Sequence, residues 1–155
     1  MAVAALVIED GGDEDEAVAA LLHDAVEDQG GAPTLALIRE RFGTRVADIV
    51  EACSDTDETP KPPWRERKAA HLAHLRDPAL PDGAMRVSLA DKLHNARAIL
   101  GDLRAGRDVF ARFNAPREDQ AWYYDALATT FAERAPGPMA TELRRVVDEV
   151  FGTPG

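Results

Sequence analysis

Four side chains able to bind metal or move protons, His23, Asp24, Glu27 and Asp28, fall within Leu21-Leu22-His23-Asp24-Ala25-Val26-Glu27-Asp28, inside an apolar pattern of helical spacing. On a helix of about 3.6 residues per turn, positions i, i+1, i+4 and i+5 share an arc of roughly 140°. All four therefore address one pocket. Burying three carboxylates together is costly unless a cation or protons neutralise them, and a divalent metal is the economical neutraliser. Mixed imidazole and carboxylate donors suit manganese, iron or zinc better than magnesium or calcium. Further along lies Ser88-Leu89-Ala90-Asp91-Lys92-Leu93-His94-Asn95. Asp91 and Asn95 are i, i+4 on one helical face, beside an apolar stripe of Leu89, Leu93, Ala96 and Leu100. Such a helix can bring Asp91 to the same cation from the opposite side.

Taken together, His23-Asp24-x-x-Glu27-Asp28 and Ala90-Asp91-Lys92-Leu93-x-Asn95 resemble the HD-domain phosphohydrolases. More narrowly, they resemble the hydrolase domain of RelA/SpoT proteins and its small stand-alone relatives. The resemblance runs from Ala2 to about Glu133 and implies an all-α HD-type helical bundle with one buried metal pocket. It also implies the activity: manganese-dependent removal of pyrophosphate from the ribose 3′ position of (p)ppGpp. By position, His23, Asp24 and Asp91 match the family's metal ligands, and Glu27 and Asp28 match the acid pair that orients the attacking water. Arg67-Lys68 matches an Arg-Lys pair associated with substrate phosphates, and Trp122-Tyr123-Tyr124 matches an aromatic segment where a ring can wall the nucleoside.

Each of these residues also has a plainer reading. Arg65, Arg67 and Lys68 can form a solvated basic face pairing with Glu66. Guanidinium planes nonetheless suit bidentate phosphate contacts. Lys92 and Arg97 flank Asp91 and Asn95, so one of them can lie near the phosphates, while the Asn95 amide can both donate and accept. With the resemblance, the residues expected to contact substrate are Arg67, Lys68, Lys92, Asn95 and Tyr123. Trp122, with Ala126 and Thr129, reads as core by helical period, and Tyr123 is open between core and substrate wall. His71, His74 and His94 read as packing or surface residues rather than ligands. Cys53 follows Val46, Ile49 and Val50 at helical spacing and reads as a buried structural thiol.

The family pattern carries one more histidine, in a sequence resembling His-Pro-x-x-Val-Ala, and Met1-Ala2-Val3-Ala4-Ala5 aligns with the residues just after it. That ligand and a basic first helix would precede Met1. A start further upstream explains this best, because the other motifs are intact; a truncated, weakened site is the alternative. Two other functions stay open: an HD phosphohydrolase for another nucleotide, such as a nucleoside phosphate or NADPH, and a catalytically silent nucleotide-binding module.

Length, charge and punctuation set the frame for these residues. The 155 residues, 45% hydrophobic and 30% charged, predict one HD-type domain over residues 1–155 with a substantial core. A formal charge of −10 argues against nucleic acid as partner, though not against a small polyphosphate nucleotide met by a metal and a few cations. One cysteine, no apolar run of membrane length and no basic signal flank point to a cytoplasmic protein without a membrane partner. Helices are predicted over Ala2–Glu9 and from the acidic run 13–16, read as a solvated cap, through the motif to about Gln29, where Gly30-Gly31 stops it. Thr34 and Thr44 are predicted to cap the next two helices, the first ended by Gly43. Residues 54–63 read as a loop, and Trp64–Arg76 as helix. After Asp77-Pro78 and Pro81-Asp82-Gly83, read as connections, helices follow over about 84–105, 117–134 and 139–151, with a short amphipathic piece ending at Phe113.

Overall fold

The computed structural model describes residues 1–54 and 60–152, and every regular element among them is helical. The order is α1 (Ala2–Glu9), α2 (Glu14–Leu22), α3 (Ala25–Gln29), α4 (Ala32–Phe42), α5 (Thr44–Cys53), α6 (Trp64–Arg76), α7 (Asp82–Arg104), α8 (Arg117–Arg134) and α9 (Pro138–Phe151). A single 3-10 turn, Phe110–Arg112, lies between α7 and α8. The all-α expectation holds, and α6 and α8 begin and end where their pattern predicts. The expected loop falls partly on residues 55–59, which lie outside the described residues.

The chain forms two compact units. The first comprises Met1–Pro62 and Asp77–Asp91. Here α5 turns Val46, Ala47, Ile49 and Val50 inward and packs on α2 and α4, while α1 packs on α2. The start of α2 is a capping box: the Glu16 amide donates to Asp13 Oδ1 at 3.0 Å and the Asp13 amide donates to Glu16 Oε2 at 2.7 Å. Glu16 is not solvated, however. It is buried, and its Oε1 accepts from Arg86 Nη1 at 2.7 Å, while Arg86 Nε donates to Asp10 Oδ2 at 2.9 Å.

Glycine, rather than threonine, sets the helix boundaries after α3. Gly31 and Gly43 occupy the N-cap positions of α4 and α5, at φ of +63° and +97°, a region closed to most side chains. Neither cap is made by a side chain, and Thr34 Oγ1 instead donates back to the Gln29 carbonyl at 2.9 Å. The helix α7 begins two residues earlier than its pattern predicts, taking in Gly83. A Cβ there would stand 2.7 Å from Ile49 Cδ1 and 2.9 Å from Glu16 Cγ. Gly83 is thus a point where α7 approaches Ile49 and Glu16 too closely for a Cβ.

The second unit comprises Pro63–Arg76 and Lys92–Gly155. Within it α8 packs on α6 and α9. Leu127, Phe131, Leu143, Val146 and Val147 are almost entirely removed from water, and Arg144 ties α9 to α8 through Asp125 at 2.8 Å. Residues 82–91 of α7 belong to the first unit and residues 92–104 to the second.

Replacing a helical glycine by alanine normally gains up to about 1 kcal/mol. At position 83 the close approach reverses the sign, and Gly83→Ala is expected to lose about 1–2 kcal/mol in urea unfolding. A stabilised Gly83→Ala protein would mean that the approach is relieved at no cost.

Candidate metal centre

The helix expected to run unbroken through the first motif is interrupted. His23 and Asp24 form a turn between α2 and α3, with backbone angles still near the helical region. The imidazole supplies a local cause. His23 Nδ1 donates to the Ala20 carbonyl at 2.6 Å, taking the acceptor that the Asp24 amide would use in a continuous helix. A carbonyl can only accept, so the proton sits on Nδ1 and Nε2 faces the opposite way.

There Nε2 lies 3.2 Å from Asp24 Oδ1 and 3.2 Å from Asp91 Oδ1. His23 is 12% exposed, Asp91 21% and Asp24 64%. The hydrogen bond to Asp91 is the main cause that raises the imidazole pKa from 6.5 to about 9; burial opposes it, and the Ala20 carbonyl and both carboxylate charges reinforce it. With no cation bound, the cluster is therefore an imidazolium held between two carboxylates.

The donor chemistry also fits a divalent metal. An Nδ1–H fixed on a backbone carbonyl is the usual way a protein orients a histidine whose Nε2 binds a metal. Two donors sharing a cation at about 2.1 Å stand roughly 3.0–3.4 Å apart, the range of both His23 contacts. Among the described residues, however, no three His, Cys, Asp or Glu side chains form a closed metal-binding group. The cluster has the donors of a metal centre without its closed geometry.

The structure thus brings together His23, Asp24 and Asp91. Glu27 and Asp28 lie in the first turn of α3 and are exposed, so the burial cost that suggested a metal applies to His23 and Asp91 rather than to all four side chains. In the second unit Lys68 Nζ lies 5.2 Å from the centre of the Tyr123 ring and 5.9 Å from that of Trp64. Tyr123 is buried, whereas Trp122, expected in the core, is half-buried and carries the Arg65 guanidinium 4.0 Å over its ring. Arg65 also pairs with Asp119 at 2.7 Å. Arg67, Lys92 and Asn95 are half-buried, and Asn95 lies one helical turn beyond Asp91 on α7. His74 and His94 are exposed and His71 is half-buried. Cys53 is half-buried, its Sγ 3.4 Å from Ser88 Oγ and 3.7 Å from the Ala84 carbonyl.

Sequence reasoning missed the Arg86 bridge to Asp10 and Glu16. An arginine on the inward stripe of α7 was its only signal, since Met85 and Val87 flank it in the core.

An all-helical fold carrying an imidazole between two carboxylates defines a class of histidine–aspartate domains. Residues 1–120 match the HD domain family, and the chain belongs to it, resembling the hydrolase domain of RelA/SpoT proteins. It is 35% identical over 108 residues to guanosine-3′,5′-bis(diphosphate) 3′-pyrophosphohydrolase of Haemophilus influenzae, covering 67% of this chain and 15% of that one. It is 34% identical over 108 residues to the bifunctional (p)ppGpp synthase/hydrolase SpoT of Escherichia coli K12, covering 67% of this chain and 14% of that one. The chain thus spans about one-seventh of the length of these relatives. A crystal structure of lmo0812 from Listeria monocytogenes EGD-e superposes with a TM-score of 0.82 at 30% identity, covering 98% of this chain and 92% of that one. Among the described residues no helix is long and apolar enough to cross a membrane.

The raised imidazole pKa has a defined consequence for stability. Protonated His23 stabilises the metal-free fold fully below pH 6.5, and that contribution is lost as pH rises through about 9. Asp91→Asn removes the main cause, so in chelator-treated protein the His23 resonances are expected to titrate closer to 6.5. An Asp91→Asn protein titrating like the parent would disprove the pairing.

Proposed function

We propose that this HD-domain chain is a metal-dependent phosphohydrolase and, more specifically, a manganese-dependent (p)ppGpp 3′-pyrophosphohydrolase. The observation that carries the reading is His23, its tautomer fixed by Ala20 and its Nε2 equidistant from Asp24 and Asp91. Support for the substrate comes from the 34–35% identity to proteins named for (p)ppGpp hydrolysis. His23, Asp24 and Asp91 would hold the cation. When bound, a divalent cation acidifies water and takes up negative charge on phosphoryl oxygens.

The remaining work falls to side chains. In the proposed reaction a water oxygen bonds to the phosphorus attached to the ribose 3′ oxygen, and the bond from phosphorus to that oxygen breaks. Glu27 and Asp28 orient the water and accept its proton, which is returned to the departing 3′ oxygen. Pyrophosphate and GDP or GTP are the products. Arg67, Lys68 and Lys92 contact phosphate, Asn95 contacts ribose or phosphate, and Tyr123 walls the nucleoside. Exposure of Glu27 and Asp28 suits groups that exchange protons with solvent.

A second reading is an HD phosphohydrolase for a nucleoside phosphate or NADPH, since the identity to the (p)ppGpp-named relatives spans only 67% of this chain and about one-seventh of theirs. Pyrophosphate release from ppGpp, with manganese and with chelator, tests the first reading against a panel of nucleoside phosphates and NADPH. His23→Ala and Asp91→Ala are each expected to abolish metal-dependent turnover. Glu27→Gln and Asp28→Asn are expected to lower kcat by about 10²- to 10⁴-fold while manganese binding persists. Full activity in His23→Ala would sink the site, and turnover of the panel but not of ppGpp would sink the substrate. Manganese affinity should also rise with pH, because the metal displaces a proton from His23.

A further inference from the structure

Arg86 is held at three points within the first unit. Its stem lies against the turn between α1 and α2, where a Cβ on Gly12 would stand 3.2 Å from Arg86 Cδ. Its Nε donates to Asp10 Oδ2 at 2.9 Å, and its Nη1 donates to Glu16 Oε1 at 2.7 Å. Glu16 is itself fixed. It is 4% exposed, its other oxygen takes the Asp13 amide, and its Cγ lies 2.9 Å from the place a Cβ on Gly83 would occupy. A buried carboxylate with both oxygens satisfied, facing a forked guanidinium, favours one arrangement of its two helices over any slid or rotated one.

Helical geometry relates this bridge to the candidate metal centre. Glu16 and His23 are seven residues apart, about two turns, and His23 keeps near-helical backbone angles, so both lie on one face of α2. On α7, Arg86 and Asp91 are five residues apart and stand about 140° apart around the axis. They therefore flank, on opposite sides, the buried stripe of Gly83, Val87 and Ala90. A single face of α2 reaches both flanks only where α2 crosses that stripe. Two ties fix the crossing: Glu16 to Arg86 at 2.7 Å, and His23 to Asp91 at 3.2 Å.

We propose that Arg86 is a positioning residue of the metal centre: by pinning Glu16 it sets the crossing of α2 on α7 at which His23 Nε2 meets Asp24 and Asp91. The assignment rests on the metal-dependent hydrolase reading above and adds to it a residue that acts only through the helices carrying the ligands. Metal–donor distances tolerate deviations of only about 0.2 Å. A tilt of α2 small enough for core packing to absorb is therefore felt at the cation.

The test separates position from stability. In Glu16→Leu/Arg86→Met both charges leave together and apolar groups take their place, an exchange that folded proteins tolerate. Asp10, at 24% side-chain exposure, keeps access to water. This double variant is expected to melt within a few degrees of the parent, yet to bind manganese about tenfold more weakly, read by electron paramagnetic resonance of the full chain without substrate. For pyrophosphate release, kcat should fall by about 10²-fold with KM little changed. Arg86→Lys, which keeps a positive charge on Glu16, should recover most of the manganese affinity. Parent-like manganese affinity in the folded double variant overturns the proposal, as does Arg86→Lys binding manganese no better than the double variant. Should the double variant not fold, Glu16→Gln keeps the shape and removes only the charge; weakened manganese binding supports the proposal and parent-like binding overturns it. If the parent binds manganese, the double variant binds it more weakly and neither releases pyrophosphate, the hydrolase reading fails and the positioning role stands. If both release pyrophosphate with equal kcat, the positioning role fails and the hydrolase reading stands.

Discussion

Arg86 is the constraint on which the first unit depends. A glutamate as buried as Glu16 is tolerated only with a charged partner and satisfied oxygens, and removing one member of such a pair costs about 3–5 kcal/mol. Glu16 has both: the Asp13 amide on one oxygen and Arg86 on the other. Asp10, before α2, takes a second nitrogen of the same guanidinium. A single α7 side chain therefore fixes both the entry to α2 and the depth of its first turn. Gly83, lacking a Cβ, lets α7 come close enough for this. Two turns beyond Glu16, just past the end of α2, stands His23, and five residues beyond Arg86 on α7 stands Asp91. The bridge at Arg86 thus sets the register in which imidazole meets carboxylate.

The second bridge is bistable in chemical terms. With a proton on each ring nitrogen, His23 joins Asp24 and Asp91 as an ion-paired clasp; with Nε2 bare, the same three side chains offer a lone pair and two carboxylates to a cation. Which form prevails depends on what competes for Nε2, a proton held as high as about pH 9 or a metal. The Ala20 carbonyl is common to both, because it fixes the tautomer and leaves only one nitrogen to change partner. Taking that carbonyl from the Asp24 amide is what breaks the helix at His23–Asp24. It costs a helical hydrogen bond and turns Asp24 towards the imidazole.

The sequence displays the elements more openly than the site. Apolar periodicity and glycine or proline punctuation are local signals, and they place α6 and α8 at their observed bounds and the end of α4 at Gly43. What local signals miss is set by partners distant in sequence. The acidic run 13–16 reads as a solvated cap until Arg86 is seen to reach Glu16. Gly83 reads as loop until Ile49 and Glu16 are seen to crowd it. Helical period assigns Trp122 to the core, yet Tyr123 lies deeper, because α8 turns it against Trp64 of α6. For the candidate site, spacing pointed His23, Asp24, Glu27 and Asp28 at one pocket, and the set His23, Asp24 and Asp91 came from the family resemblance; the exposure of Glu27 and Asp28 follows from the break before α3, where the His23 side chain bonds to its own backbone.

Charge brings these strands together. Most arginines with defined contacts are already committed to carboxylates: Arg39 to Asp48, Arg45 to Asp13, Arg65 to Asp119, Arg97 to Glu142, Arg104 to Glu149 and Arg144 to Asp125. The net field of a chain of charge −10 repels a polyphosphate approaching from bulk water. The same field concentrates divalent cations around the protein. The polyanionic substrate proposed above would therefore need a few fixed positive points, and it is these that would decide specificity. Salt then acts in two directions: it screens the repulsion that slows a polyanion's arrival, and it weakens the attraction that gathers cations. Contacts made inside desolvated pockets are screened far less. Selectivity built from such contacts survives conditions in which the long-range field has collapsed.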